Sequence, residues 1–414
     1  MIKIEKIIPG GMGLGTDLDG KKIFFWNALP GELIEEFDVT KNKSHYQEAI
    51  ATKIKEPSKY RAEPKDICFL STSPWQIIDY NYELQLKQSL VVEIFREHNI
   101  KIDTPPIFTD HHDYFYRNKM EYALYYDLVE AKIKLAFHQR GSHKKIPIES
   151  SSIERSELFK KATTIIDDLN SRHEEARKYQ TLLLRCNQNG EVSGGLYENH
   201  QPHPVFPPLT DQILGKTYSY SPNGFFQINL SVYEMALKEI KKHISTDDVL
   251  DLYAGVGTIG LSVARDHHLT LVECDKSAYR ELVNNLPENA LLRTTFADVA
   301  NTERPSPVTT GARERSEKDA FLAILAKSEE ALNYINSNQT VILDPPRSGC
   351  DQKLINKLNE VGPQKIIYLS CNPSTQARDI KLLLNNYNIE DIKTFNFFPH
   401  TPHIENLIIL SKIN

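Results

Sequence analysis

Apolar and polar positions alternate from Ile2 to Ile8, as a strand with one buried face requires. Glycines follow at 10, 11, 13 and 15, then the apolar run KKIFFW after Asp19-Gly20, then Pro30-Gly31. Short strands broken by turn residues at this spacing predict a small β-barrel over residues 1–60. The period then changes. Leu84, Leu86, Leu90, Val91, Ile94 and Phe95 recur at helical spacing, which predicts a linker helix within 75–101. Between 114 and 230 the texture is mixed. YRNKMEYALYY and KIKLAFHQ read as paired strands, SELFKKATTIIDDLNSRHEEARKY as a helix, and TLLLRCNQNGEVSGGLYE as a hairpin turning at Asn189-Gly190. A central α+β domain is expected over 61–245.

From about residue 247 apolar strands alternate with helical stretches. DDVLDLY, LTLVECD, TVILDPP and QKIIYLS each end in polar or glycine-rich turns, the pattern of βα units and a parallel sheet. An α/β domain over 246–414 is therefore predicted, mostly parallel with helices on both faces. Residues 302–338 interrupt it. TERPSPVTTGARERSEKD has no periodicity and reads as a loop, and FLAILAKSEEALNYI after it reads as a helix.

Composition narrows the class. The chain has 414 residues, enough for two or three domains, with 40% hydrophobic and 25% charged residues. That excludes disorder, collagen and coiled-coil arrays. The net charge of −6 does not mark a strongly basic nucleic-acid binder, but a net charge averages over domains. Locally, Lys41, Lys43, Lys53, Lys55, Lys59, Arg61 and Lys65 surround Tyr46 and Tyr60. This is either a solvated face or a track for a phosphate backbone with aromatic stacking. Five cysteines without regular spacing do not form a disulfide framework or a zinc ribbon. No apolar run suggests a signal peptide or a membrane span, so a cytoplasmic monomer is expected.

Chemistry enters with DLYAGVGTIG, residues 251–260. Gly255, Gly257 and Gly260 follow a strand and open an apolar helix, the arrangement that lets a backbone approach a nucleotide-like ligand. Glu273 ends the next strand, where a carboxylate can accept from two ribose hydroxyls. NAD and S-adenosylmethionine both fit these features. LDPPRSG, residues 343–349, resembles the Asp/Asn-Pro-Pro element of nucleic-acid methyltransferases and favours the methyl donor.

YLSCNPSTQARD places Cys371 just beyond a strand, at the carboxyl edge where ligands bind, with a helix starting at Pro373. The helix N-terminus is expected to favour a thiolate, which makes Cys371 the candidate nucleophile. Cys186, Cys274 and Cys350 read as ordinary small apolar residues. Glu405 precedes a final apolar strand in FFPHTPHIENLIIL, in surroundings dry enough to raise its pKa and suit it to accept a proton. His400 and His403 lack a third partner, so no metal is expected.

Together these stretches resemble the uridine-5 RNA methyltransferase family, over nearly the whole chain. DLYAGVGTIGL is similar to its cofactor motif, LDPPRSG to its DPPR motif and LSCNPSTQARD to its nucleophile motif. FPHTPHIE is similar to its general-base motif, NGFFQIN to its FFQ-N segment, and YRNKMEY to the opening of its central domain. The glycine-rich start resembles the TRAM domain, an RNA-binding barrel of OB type. The resemblance implies a Rossmann-like C-terminal domain that uses S-adenosylmethionine. It implies attack by Cys371 on uracil carbon 6, methyl transfer to carbon 5, and proton removal by Glu405. It places Gln227, Tyr253, Gly255, Gly257, Glu273, Asp298 and Asp344 around cofactor and base, with Arg378 and Asn372 ordering the nucleophile loop. The RNA partner must present an unpaired or flipped uridine. The TRAM-like barrel leans the expectation towards ribosomal RNA, with transfer RNA as the alternative.

The chain departs from the family pattern twice. Many members hold an iron–sulfur cluster on four cysteines, but PKDICFLSTSPWQ keeps only Cys68 and no partner occurs near 146–153. One thiol cannot hold such a cluster, so none is expected. Asn396 stands where the family often has Asp, which alters a contact behind the base. A 5-methylcytosine enzyme would show Pro-Cys where this chain has Pro346-Arg347. A non-catalytic RNA-binding protein would be free to lose Cys371 or Glu405, and an NAD-dependent oxidoreductase would not need the Asp-Pro-Pro-Arg and Ser-Cys-Asn-Pro pair.

Overall fold

The computed structural model describes residues 1–203, 206–294 and 320–413. The chain starts with strands β1 (Ile2–Ile7), β2 (Gly13–Thr16), β3 (Lys22–Trp26), β4 (Leu33–Asn42) and β5 (Tyr46–Glu56). They close into a barrel in the order β1-β2-β3-β5-β4, antiparallel except for β3 beside β5. Alternation along β1 and β3 sends Ile2, Ile4, Ile23 and Phe25 inward, where they pack with Ile34, Ala49 and Ala51.

A short helix α1 (Phe69–Thr72) precedes α2 (Tyr80–Glu97). Asp79 starts α2 by accepting from the Tyr82 amide. The buried stripe of α2 runs through Glu83, Lys87, Leu90, Val91 and Ile94, so two charged residues occupy core positions, while Leu84 and Leu86 are half-buried. The two-residue strand β6 (Ile107–Phe108) comes next. Then β7 (Lys119–Asp127), β8 (Lys132–His138), β9 (Lys145–Pro147), α3 (Ser156–Ser171), β10 (Thr181–Cys186), β11 (Val192–Glu198) and β12 (Gln201–His203) form the middle of the chain. These strands make an antiparallel sheet in the order β12-β11-β10-β7-β8-β9, and α3 packs on it with Leu158, Ala162, Ile166 and Leu169. The expected hairpin joins β10 to β11. Asn187 holds its turn by accepting from the amides of Asn189 and Glu191, and Gly190 takes a left-handed φ of +82°.

The remaining elements are the hairpin β13 (Leu209–Ile213) and β14 (Lys216–Tyr220), then α4 (Leu230–Lys242), β15 (Asp248–Asp251), α5 (Thr258–Val263), β16 (His268–Glu273), α6 (Lys276–Asn285), β17 (Leu291–Thr294), β18 (Phe321–Leu325), β19 (Gln339–Leu343), α7 (Gln352–Val361), β20 (Lys365–Ser370), α8 (Pro373–Leu383), β21 (Tyr387–Phe395) and β22 (Glu405–Lys412). One sheet of nine strands runs β17-β18-β16-β15-β19-β20-β22-β21-β6. It is parallel from β17 to β20, and β22 is antiparallel to both neighbours. From the central strand β15 the chain goes first to β16 on one side and later to β19 on the other. The carboxyl end of β15 is therefore a topological switch point, where such sheets bind ligands.

The helix expected at FLAILAKSEEALNYI is not formed. Phe321–Leu325 is strand β18, parallel between β16 and β17, and two 3₁₀ turns follow at Ser328–Glu330 and Leu332–Tyr334. A short unbroken apolar run fits a two-face-buried strand as well as a buried helix, and periodicity cannot separate them. Asp298 and residues 302–319 of the interruption lie outside the described residues.

By contacts the chain divides into two compact units. One comprises Met1–Ile94, His111–Phe206 and Asn396–Ile404; the other comprises Phe95–Asp110, Pro207–Phe395 and Glu405–Asn414. No helix among the described residues is long and apolar enough to cross a membrane.

Candidate active site

In the second unit, the loop after β15 follows the expected glycine pattern for physical reasons that differ at each position. Gly255 has a φ of +55° with open space where a Cβ would stand, so it presents bare backbone. Gly257, at φ +88°, caps α5, and a Cβ there would meet Leu282 at 2.5 Å. Gly260 lies so close to Asp251 that its amide donates to the carboxylate at 3.0 Å. Burial pushes the Asp251 carboxyl up to about 7. At the end of β16, Glu273 accepts from the Gly255 amide at 2.8 Å and from the Asp275 amide at 2.6 Å, which fixes its carboxylate beside the bare backbone. Half-buried Tyr253 turns its phenol towards Cys350 and Ser328.

Asp344 leaves the end of β19, half-buried, with its carboxyl raised to about 7 by burial and by the charge of Asp251. Cys371 follows β20. Asn372 caps α8 by accepting from the Ser374 amide, and Pro373 occupies the first turn. The thiol is half-buried, and its pKa is pushed up to about 11, first by burial and then by Glu405 and Asp344, against the lowering effect of Arg347. The helix terminus does not produce the expected thiolate, because burial and two neighbouring acids outweigh it. Glu405 begins β22 opposite Phe395 and is 4% exposed. Burial and Asp344 hold its carboxyl well above the usual range, and Arg347 again opposes them. Thus Glu405 and Asp344 act on the thiol, Asp344 acts on Glu405, and one guanidinium acts on both the thiol and Glu405. Tyr233 of α4 feels the same carboxylates. Gln227 lies buried in the segment before α4, next to Phe226, which stacks on Tyr220 at 3.9 Å.

Several residues that build this site were not singled out by motif reading. Arg347 is one. Its carbonyl accepts from Asn372 Nδ2 at 2.8 Å and Thr375 Oγ1 at 3.2 Å, so the loop after β19 is tied to the start of α8. Buried Asp379 accepts from the Cys350 amide and the Tyr368 hydroxyl, both at 2.8 Å, and pairs with Arg378. Gln376 Nε2 donates to the Asn406 backbone carbonyl, and Asn406 Nδ2 donates to Gln376 Oε1. All of these except Asn406 lie in or beside the DPPR and Ser-Cys-Asn-Pro stretches, so the signal was present there, but polar residues in a motif do not reveal which one carries the chemistry.

The first unit contains the basic stretch, and much of its charge is compensated. Lys41 pairs with Glu48 at 2.8 Å, and Lys53 with Glu35 and Glu36 at 3.2 and 3.5 Å. Arg61 grips the fully buried Glu32 with two nitrogens, at 2.7 and 2.8 Å. Lys59 lies over Tyr60, which stacks on Tyr82 at 3.8 Å, and Lys65 lies over Tyr114 at 3.5 Å.

Cys68 is buried in the core around α3, its thiol pushed up to about 11 by burial. Beside it Asp66 accepts from Gln76 Nε2 and Ser152 Oγ, both at 2.7 Å, and from the Ser152 amide. Gln76 also donates to Ser73 at 2.7 Å. These bonds join 66–76 to 152, the two stretches where the family resemblance would place cluster ligands. Among the described residues no group of three or more His, Cys, Asp or Glu side chains could hold a metal ion.

Comparison with known proteins agrees with this geometry. Residues 210–413 match the family described as tRNA (Uracil-5-)-methyltransferase. An "uncharacterized RNA methyltransferase" of Enterococcus faecalis is 27% identical, covering 100% of this chain and 97% of its own length. One from Nanoarchaeum equitans is also 27% identical, covering 99% and 93%. The solved structure of Pyrococcus abyssi tRNA (uracil-54, C5)-methyltransferase, in complex with S-adenosyl-L-homocysteine, shares the fold at a TM-score of 0.72, with 21% identity over 99% of this chain and 100% of that one. The matched residues 210–413 carry the glycine loop, the thiol and the carboxyl in order, so this part of the chain matches the tRNA (Uracil-5-)-methyltransferase family, a family of enzymes, and over its whole length the chain is similar to RNA methyltransferases.

Proposed function

We propose that the protein forms 5-methyluridine in RNA from S-adenosylmethionine, with Cys371 as nucleophile and Glu405 as base. The observation that carries this reading is the juxtaposition of a thiol and a buried carboxyl, each raised by the other acids and each relieved by Arg347. The residues also suit the methyl donor. Gly255 offers unobstructed backbone, and the fixed Glu273 carboxylate keeps free lone pairs for ribose hydroxyls. Asp344 and Gln227 flank the donor and base, Gly257 keeps the turn tight, and Tyr253 supports the loop from below. When bound, the donor supplies a methyl group on a positively charged sulfur.

The chain's own residues do the rest. Cys371 first gives up its proton to solvent; the thiolate then adds through sulfur to uracil carbon 6, and the electrons of the 5,6 double bond move into an enolate with its charge on the carbon-4 oxygen. Carbon 5 is thereby nucleophilic and takes the methyl group. Glu405 then removes the proton from carbon 5, the pair re-forms the double bond, and Cys371 leaves. A carboxyl held above its usual range is the stronger proton acceptor, which suits Glu405 to that step. Arg347 favours the thiolate during attack. The uridine must be unpaired or flipped out to reach the thiol.

On the substrate, the barrel loses its power to favour ribosomal RNA. The Pyrococcus abyssi protein, whose name gives a transfer-RNA uridine as its target, shares the fold over its whole length, barrel included. Transfer RNA is therefore a reading equal to ribosomal RNA. Mapping 5-methyluridine in total RNA from cells with and without the gene decides between them. A site lost with the gene and restored by wild type, but not by Cys371→Ala, is the expected result. An unchanged 5-methyluridine map would contradict the proposal.

A further inference from the structure

The nine residues Asn396–Ile404 that join β21 to β22, and so lead into Glu405, are clasped by two charged side chains of α2. Glu83 and Lys87 are both fully buried and pair at 2.8 Å. Lys87 donates to Asn396 Oδ1 at 2.6 Å and to the Phe398 carbonyl at 3.0 Å. Glu83 accepts the His400 amide on both oxygens, at 3.1 and 2.9 Å, and the Asn396 amide at 3.4 Å. The clasp has further supports. The Trp75 amide donates to the His400 carbonyl at 3.0 Å, and Asp113 meets the His400 ring at 3.1 Å. His400 itself has a φ of +58°, a left-handed conformation that a non-glycine residue keeps only when its surroundings impose it.

A buried ammonium needs one carboxylate. Asn396 touches Lys87 more closely than Glu83 does but carries no charge, so Glu83 alone among its contacts supplies it. We infer that Glu83 and Lys87 are positioning residues for the general base, and that Glu83 carries the negative charge an aspartate at position 396 would otherwise provide. The two positions are interchangeable because an aspartate at 396 is nearly isosteric with Asn396 and would meet the same ammonium. Burial pulls Lys87 below its usual range and Glu83 pushes it back, which agrees with a charge kept by one partner.

This inference rests on the role proposed for Glu405, and the test separates the two. Glu83→Gln, Asn396→Asp, the double variant Glu83→Gln/Asn396→Asp and the neutral pair Glu83→Gln/Lys87→Met are assayed beside Glu405→Gln, with 5-methyluridine formation, KM for RNA and covalent RNA–protein complex as readouts. Glu83→Gln should lower kcat roughly ten- to a hundredfold, the range that misplacing a reacting group by up to an ångström produces. KM for RNA should stay within about twofold, and covalent complex should accumulate, as expected for a loss confined to the catalytic step. The double variant should regain most of the wild-type kcat. The neutral pair should fold, having no unpaired buried charge, and yet remain slow. Wild-type kcat in Glu83→Gln, or no recovery in the double variant, would overturn the clasp while leaving Glu405 as base. Normal turnover by Glu405→Gln would overturn the base itself.

Discussion

Asn406, the residue after Glu405, donates its side-chain amide to Gln376, five residues beyond Cys371, at 2.7 Å, and its carbonyl accepts from Gln376 at 3.0 Å. Gln376 also donates to the Tyr368 carbonyl at 2.8 Å, so one buried amide fixes the end of β20, the start of α8 and the start of β22. This amide pair therefore ties the residue next to the base to the first turns of the helix that follows the nucleophile. Gln376→Leu removes both of its donations and leaves the Asn406 side-chain amide without its acceptor, at a cost of roughly 1–3 kcal/mol. Chemical denaturation should show that loss, and a double-mutant cycle with Asn406→Leu should show coupling of about 1 kcal/mol or more. Additive effects would mean that the pair does not act as one unit.

The state of the thiol gives a second prediction. With a pKa near 11, Cys371 is a neutral thiol at pH 7. Its alkylation by iodoacetamide, read by mass spectrometry of its own peptide, should speed up about tenfold per pH unit through the range 7–10. Glu405→Gln removes an acid that raises the thiol and should move the profile to lower pH. Arg347→Gln removes the opposing cation and should move it to higher pH. A profile that levels off near pH 8 in the wild type would contradict the stored thiol.

For RNA engagement, the ion pairs of the barrel sort the lysines. Lys53 is occupied by Glu35 and Glu36, whereas Lys59 and Lys65 are exposed over tyrosine rings, where a phosphate can reach them. Replacing Lys59 or Lys65 by Ala should weaken RNA binding and flatten its salt dependence by about one unit of slope each. Lys53→Ala should leave the slope unchanged. Equal effects from all three would make this face an undifferentiated charge.

The stretch around Cys68 makes the fourth prediction. Protein purified anaerobically should be colourless and free of stoichiometric iron, since a cluster needs four ligands and one thiol is present there. The Asp66–Gln76–Ser152 bonds take over the tie between these segments. Asp66→Ala should then lower stability by about 2 kcal/mol or more, since it strands buried donors. Brown protein with iron in proportion to the chain would refute the first part, and an unchanged melting temperature the second.

Most of the strand framework was legible because its physics is local. Alternation in β1, the Asn189-Gly190 turn and the glycine-terminated strand β15 each carry their signal within a few residues. FLAIL was misread for want of periodicity in a segment buried on both sides. In the site, Cys371 and Glu405 stood out because their chemistry is rare at strand ends. Their environment did not. That the thiol is protonated depends on its burial and on Glu405 and Asp344 reaching it from the ends of two other strands, against Arg347, and that α2 buries Glu83 and Lys87 instead of Leu84 and Leu86 depends on partners some 310 residues away. Such contacts are invisible to spacing.

The central claim is that Cys371 attacks the uracil ring. RNA in which 5-fluorouridine replaces uridine carries fluorine at carbon 5, so the base finds no proton to remove and the adduct cannot collapse. Incubated with S-adenosylmethionine, the wild-type protein should form a complex that survives denaturing gels, and peptide sequencing should find the methylated fluorouracil on Cys371. Cys371→Ala should form none. Wild-type protein that methylates ordinary RNA but forms no adduct with the fluorinated RNA, or carries it on another residue, would contradict the account.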